Sequence, residues 1–205
     1  MQDERNLPDN NADLFVTPID FRELNKQKNL ANGVKVLSRT IYSVEARRKF
    51  SILLDRFSPD LIHLQNYLGH ITLSILFEAK LRGLPVITTL HDYGMICPNA
   101  HFLIDRTKEI CEACRGGHFY NAIRKRCKKD SILASGMATL LAYCNRCMGI
   151  MDKTDLFITP SNFLKNKLLE NGFPSARLYH LPLFLPDNFS RASEQDQGYI
   201  LFLGK

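Results

Sequence analysis

The residues best suited to chemistry are His91 and Asp92, which follow directly on the apolar run "LPVITTL" (84–90). An adjacent carboxylate can fix a histidine's tautomer or hold it charged against a phosphate. Glycosyl, phosphoryl and acyl chemistry all suit such a pair, so the pair alone does not name a reaction. A second cluster begins six residues on. Cys97, Cys111, Cys114 and Cys127 form C-x13-C-x2-C-x12-C. This pattern could close a tetrahedral structural zinc site, and Gly116 and Gly117 would help the knuckle turn. The same thiols could equally be small buried hydrophobes in a reducing compartment. Cys144 and Cys147, at i and i+3, read as packing on one helix face, with replacement metal ligands as the alternative.

The 205-residue chain carries a net charge of +6, which favours an anionic partner without choosing among nucleotides, nucleic acids, phospholipids and phosphorylated substrates. The basic run "RKRCKK" (124–129) concentrates part of that charge. It stands just before "SILASGMATLLAYC" (131–144), which is too short to span a bilayer and has the length of a core helix or an interfacial segment. A basic collar beside an apolar helix suits an anionic membrane surface, and a solvated helix face is the plainer alternative. The N-terminus is acidic and polar, unlike a secretory signal, so a cytoplasmic protein is expected, peripheral at most on the inner face of the membrane.

These groups need a scaffold, and the pattern of the chain supplies one. Short strands are predicted at 14–19, 60–64, 84–90, 155–160, 176–182 and 198–204. Helical periodicity runs from Val34 to Phe57, over 69–83, through much of 118–150, and over 161–172 with Ser161 as N-cap. Gly83 and Gly172 sit where left-handed caps belong. Strands alternating with helices predict an α/β fold with a Rossmann-like parallel sheet and helices on both faces. Ligands bind such sheets outside the carboxyl ends of the strands. Asn66 and Tyr67, His91 and Asp92, and Ser161 and Asn162 all fall at that rim.

Four segments in order, "SPDLIHLQN", "LPVITTLHDY", "DLFITPSNFLKNKLLENG" and "YILFLGK", resemble the N-terminal, acceptor-side domain of family 4 glycosyltransferases, which have the two-domain GT-B fold. "HDYGMICPN", "CEACRGG" and the later "RC" resemble a bacterial subgroup that builds surface polysaccharides. The resemblance covers roughly residues 34–205. It implies transfer of a sugar from a nucleotide-sugar donor to a glycan or lipid-linked acceptor, with retention of configuration and no essential metal. His91 matches the family histidine that contacts the transferred sugar. Asn66, Asp92 and Tyr93 would line the acceptor side, and Ser161 is counted with them as substrate-binding. The implied organisation is a polar tail (1–13), a Rossmann-like domain (14–185) with a cysteine-containing insertion (94–130), a linker (186–198) and the first strand of a donor domain (199–205).

The same resemblance implies that the family's opening strand and glycine-rich loop are missing before Leu14, and that most of the donor domain is missing after Lys205. The expectation is a glycosyltransferase fragment, inactive alone and marginally stable, with an uncovered edge beside the strand at 60–64. The rival reading is a zinc-stabilised basic nucleic-acid-binding module. It leaves the doubly wound core unexplained and lacks aromatics interleaved with its basic residues. A non-catalytic remnant or interaction subunit is the third reading.

Overall fold

The structure, a computed structural model, describes residues 11–17, 38–68 and 71–184. The expected strand at 198–204, the linker and the first residues of the Val34 helix lie outside them. Four parallel strands form one sheet in sequence order: β1 (Ile62–Gln65), β2 (Val86–Thr89), β3 (Leu156–Thr159) and β4 (Leu178–His180). Among the described residues, the helices that position the site are α1 (Val44–Phe57), α2 (Ser74–Leu81), α3 (Asn121–Arg124), α4 (Ile132–Cys147) and α5 (Asn162–Glu170). This is the α/β architecture expected from the sequence, a parallel sheet flanked by helices.

Register shows which face is core. Ile62 pairs with Val86, Leu64 with Thr88, Thr88 with Phe157, and Phe157 with Leu178. All of these side chains are buried. Leu54 of α1 and Leu73, Leu76 and Ala79 around α2 cover the β1 end, and Leu164 and Leu168 of α5 cover the β4 end. The opposite face is less covered. His63, Gln65 and Tyr179 are exposed there, and Ile87, Leu156 and Ile158 are half-buried. β1 pairs with β2 alone among the described strands. Beside it, a cleft of about 550 Å³ runs between α1 and β1, walled by Leu14, Val16, Phe50, Leu53, Ile62 and Leu64 among others.

Two local expectations are corrected. Residues 14–17 form no strand; Ala12–Leu14 is a 3-10 turn, and Phe15, Val16 and Thr17 follow without ladder bonds. Side chains of α1 satisfy this stretch instead. Lys49 donates to the Phe15 carbonyl, and the Glu45 carboxylate accepts from both the N–H and the hydroxyl of Thr17. The helix expected to run unbroken to Phe57 is interrupted after Ile41, before α1 begins. Ser43 is the cause. Its hydroxyl accepts from Ala46 N–H as the N-cap of α1, while its own N–H donates to Thr72 Oγ1.

Between β2 and α4 the chain forms an irregular lobe. It contains one antiparallel bridge, Leu103 to Ile110, a 3-10 turn at Arg115–Gly117, and the single turn of α3. Six non-glycine residues there have positive φ: Ala100, Phe102, Lys108, Arg126, Lys129 and Asp130. Asn99 holds the lobe together. Its amide donates to the carbonyls of Leu103 and Cys127 and to the Asp105 carboxylate.

Candidate functional site

The carboxyl ends of β1 and β2 open into a cleft of about 320 Å³ whose walls include Asn66, Tyr67, Thr88, His91, Asp92 and Gly94. The local folding explains each placement. Asn66 leaves β1 with φ of 46°, a left-handed conformation that asparagine tolerates better than most residues. The chain therefore turns at the strand end and exposes the Asn66 side chain. On the neighbouring strand, Leu90 remains buried and His91 emerges. Its Nε2 lies 3.3 Å from Gln65 Oε1 of β1. Asp92 folds back on its own loop, with Oδ1 accepting from Gly94 N–H at 2.8 Å. A side chain at position 94 would bring its Cβ to 2.9 Å from that oxygen and push the Asp92 carboxylate aside.

The structure thus brings Asn66, His91 and Asp92 into one cleft. Tyr93 and Ser161 are not among its lining residues. The Tyr93 ring stacks on Phe102, with centroids 4.4 Å apart, and meets Phe163 edge-on. Its backbone carbonyl accepts from the N–H groups of Ile96 and Cys97, so the residue anchors the entry to the irregular lobe. Ser161 caps α5, its hydroxyl accepting from Leu164 N–H at 3.2 Å.

Two wall residues carry buried hydroxyls without a hydrogen-bond partner among the described residues, Tyr67 Oη and Thr88 Oγ1. Burial pushes the Tyr67 phenol well above its ordinary range. Thr88 was not legible as a site residue, since a threonine within a β-branched run reads as strand. A second cleft of about 230 Å³ shares Leu68, Asp92 and Gly94 with the first and continues to Lys128, Leu141 and Asn145. The site therefore extends from the strand ends toward α4.

The four cysteines of the spaced set lie in the irregular lobe and at its entry. Cys114 and Cys127 are core residues of the lobe, Cys111 packs on them, and Cys97 is buried in the adjoining core. Burial first, then the neighbouring Cys97, Cys127 and Cys111, push the Cys114 thiol up to about 12. Burial, with Cys111 and Cys97, pushes Cys127 up to about 11. Among the described residues, no group of three or more His, Cys, Asp or Glu side chains is arranged to hold a metal ion. No helix among them is long and apolar enough to cross a membrane.

A parallel α/β sheet with helices around it and a polar cleft at the carboxyl ends of its strands is a Rossmann-like architecture, and that rim is where such sheets bind ligands. The model of Glycosyltransferase Family 4 matches residues 16–187, and the chain belongs to that family. Among curated proteins and among solved structures, nothing matches the chain.

Proposed function

We propose that this domain forms the acceptor side of a retaining glycosyltransferase. In this reading a nucleotide sugar is the donor and a lipid-linked glycan of surface-polysaccharide synthesis is the acceptor. The glycosidic bond from sugar C1 to the donor phosphate breaks, and the nucleoside diphosphate leaves with the electron pair. The bond from C1 to an acceptor oxygen forms as the acceptor's hydroxyl proton passes to the departing diphosphate, and no step requires a metal ion. His91 contacts the transferred sugar, while Asn66 and Asp92 orient the acceptor. Tyr93 acts at one remove, by holding the loop that carries His91 and Asp92. The observation that carries the reading is the meeting of Asn66, His91 and Asp92 in one cleft at the strand ends of a family 4 chain.

The test is sugar transfer from radiolabelled UDP-, GDP- and dTDP-sugars to a bacterial lipid extract, using the protein as the cell makes it. Labelled lipid should form with one donor class. His91→Ala should lower the rate by about 10²-fold or more, the usual scale for a group acting directly at the reacting centre. Unchanged transfer in His91→Ala would remove His91 from the reaction. No product from any donor would overturn the transferase reading.

A further inference from the structure

The two joined clefts differ in charge. Among the described residues lining the strand-end cleft of about 320 Å³ there is no Lys or Arg, and its carboxylate is Asp92. The adjoining cleft of about 230 Å³ shares Asp92 with it and adds a cation, Lys128, and an amide, Asn145. Charges act more strongly in such partly water-excluded space than in open solvent. An anionic group is therefore disfavoured beside Asp92 in the first cleft and favoured at the Lys128 end of the second.

Lys128 differs from the cations around it. Arg124, Lys125, Arg126 and Lys129 are exposed, whereas Lys128 is half-buried. Its backbone is held on both sides, the N–H donating to Ser135 Oγ at 3.1 Å and the carbonyl accepting from Ser131 N–H at 3.1 Å. Ser131 is the N-cap of α4, so Lys128 is fixed to the start of that helix. Lys80 and Lys167, also half-buried, have their charges answered by Asp155 and Glu112. The Lys128 ammonium has no hydrogen-bond or ion-pair partner among the described residues, and neither has the Asn145 side-chain amide. A partly desolvated ammonium without a counter-charge costs stability, and a bound anion would offset that cost.

We infer that Lys128, with Asn145, binds a phosphate group borne by the acceptor, while the acceptor's uncharged sugar lies in the strand-end cleft beside His91. The inference rests on the transferase reading and adds to it the acceptor's charge and direction. An ammonium is a compact point charge suited to phosphate. A planar carboxylate is met better by the fork of an arginine, which this cleft lacks among the described residues. The Asn145 amide supplies a neutral donor to the same oxygens. With the anion held at one end and Asp92 between the two clefts, the ligand enters in one orientation, its sugar toward the end of β2.

The experiment is titration of the ¹⁵N-labelled protein, followed by ¹H–¹⁵N correlation spectra, at about 0.1 M salt. The probes are inorganic phosphate, the 1-phosphates of glucose, galactose and mannose, and the matching methyl glycosides. Inorganic phosphate should shift the Asn145 side-chain amide and the Lys128 backbone amide. The best hexose 1-phosphate should bind about tenfold more tightly than inorganic phosphate and than its own methyl glycoside, and should shift His91 and Gly94 as well. Lys128→Met should lower affinity for that hexose phosphate about tenfold or more, and Lys128→Arg should retain most of it. Lys125→Gln, which removes an exposed charge of the same run, should bind as the unaltered protein does. Should Lys128→Met misfold, Asn145→Ala decides the matter and should lower affinity about fivefold. No binding of any phosphate, shifts confined to Arg124, Lys125 and Arg126, equal losses in Lys125→Gln and Lys128→Met, or undiminished binding by a folded Lys128→Met would overturn the proposal. Hexose phosphates that bind no better than inorganic phosphate would also overturn it, because the subsite would then serve a free phosphate. No sugar is transferred in this titration, so its failure and the failure of the transferase reading are separate results.

Discussion

His91 Nε2 stands 3.3 Å from Gln65 Oε1, a pairing that crosses from the end of β2 to the end of β1. The backbones beneath are fixed by parallel register, since Gln65 pairs with Thr89. An amide oxygen can only accept, so this pairing is made when His91 carries a hydrogen on Nε2. Gln65 thus orients His91 and need not touch substrate. Gln65→Ala should remove a bond worth about 1 kcal/mol and slow transfer about fivefold, far less than loss of His91. Long-range ¹H–¹⁵N correlation on the imidazole should show Nε2–H in the unaltered protein and a mixture of tautomers in Gln65→Ala. An identical tautomer pattern in both would show that Gln65 does not position the ring.

The unpartnered hydroxyls of Thr88 and Tyr67 lead to a prediction with an unusual sign. A buried hydroxyl without a partner costs stability, and its removal at constant shape recovers that cost. Thr88→Val and Tyr67→Phe should each raise stability by about 1 kcal/mol, with a melting temperature higher by about 2–4 °C. If these hydroxyls serve substrate, the same variants should raise KM while stabilising the free protein. A fall in melting temperature for Thr88→Val would show that its hydroxyl has a partner in solution.

The strands were legible because β-branched runs such as "VITT" leave little choice of conformation. Gly83 and Gly172 marked helix ends and do adopt positive φ, and Ser161 marked the start of α5. The site was legible to the extent that it depends on strand ends, which is how Asn66, His91 and Asp92 could be named together. What stayed hidden depends on long-range partners. Ser43 interrupts a periodic helix because Thr72, far along the chain, takes its N–H. Residues 14–17 fail as a strand because Glu45 and Lys49 satisfy them first. For α4, periodicity shows that an apolar face exists. Only the contacts of Ser135 with Lys128 N–H and of Thr139 with the Phe119 carbonyl show that this face points away from the protein.

The cysteines differ enough in environment to be ranked. Cys147 is exposed, while Cys114 and Cys127 are buried with thiols pushed up to about 12 and about 11. The thiolate is the nucleophile, so alkylation at pH 8 should reach Cys147 first. Cys114 and Cys127 should react only on unfolding. Mass spectrometry of iodoacetamide-treated peptides over time checks this order. Zinc at one equivalent per chain, with Cys97, Cys111, Cys114 and Cys127 protected together, would instead establish the metal reading suggested by their spacing.

Asp155 gives the fold a defined dependence on acid. It sits at the start of β3, accepts from Val86 N–H of β2 at 2.7 Å, and pairs with Lys80 of α2 at 2.7 Å. Burial pushes its carboxyl up, but the Lys80 ammonium and the Val86 N–H together outweigh burial and hold it below the ordinary carboxylate range. A carboxyl depressed in the folded state binds its proton more readily once unfolded. It therefore contributes stability that is present above its unfolded pKa of about 4 and is lost as pH falls through the folded value. With the pair half-open to water, the ionic part is small and the bond to Val86 N–H matters more. Urea midpoints for Asp155→Asn should lie below those of the unaltered protein at pH 7, and the two should converge as pH falls from about 5 toward 3. A gap that persists unchanged at pH 3 would assign the effect to packing at the β2–β3 junction, with no role for the charge.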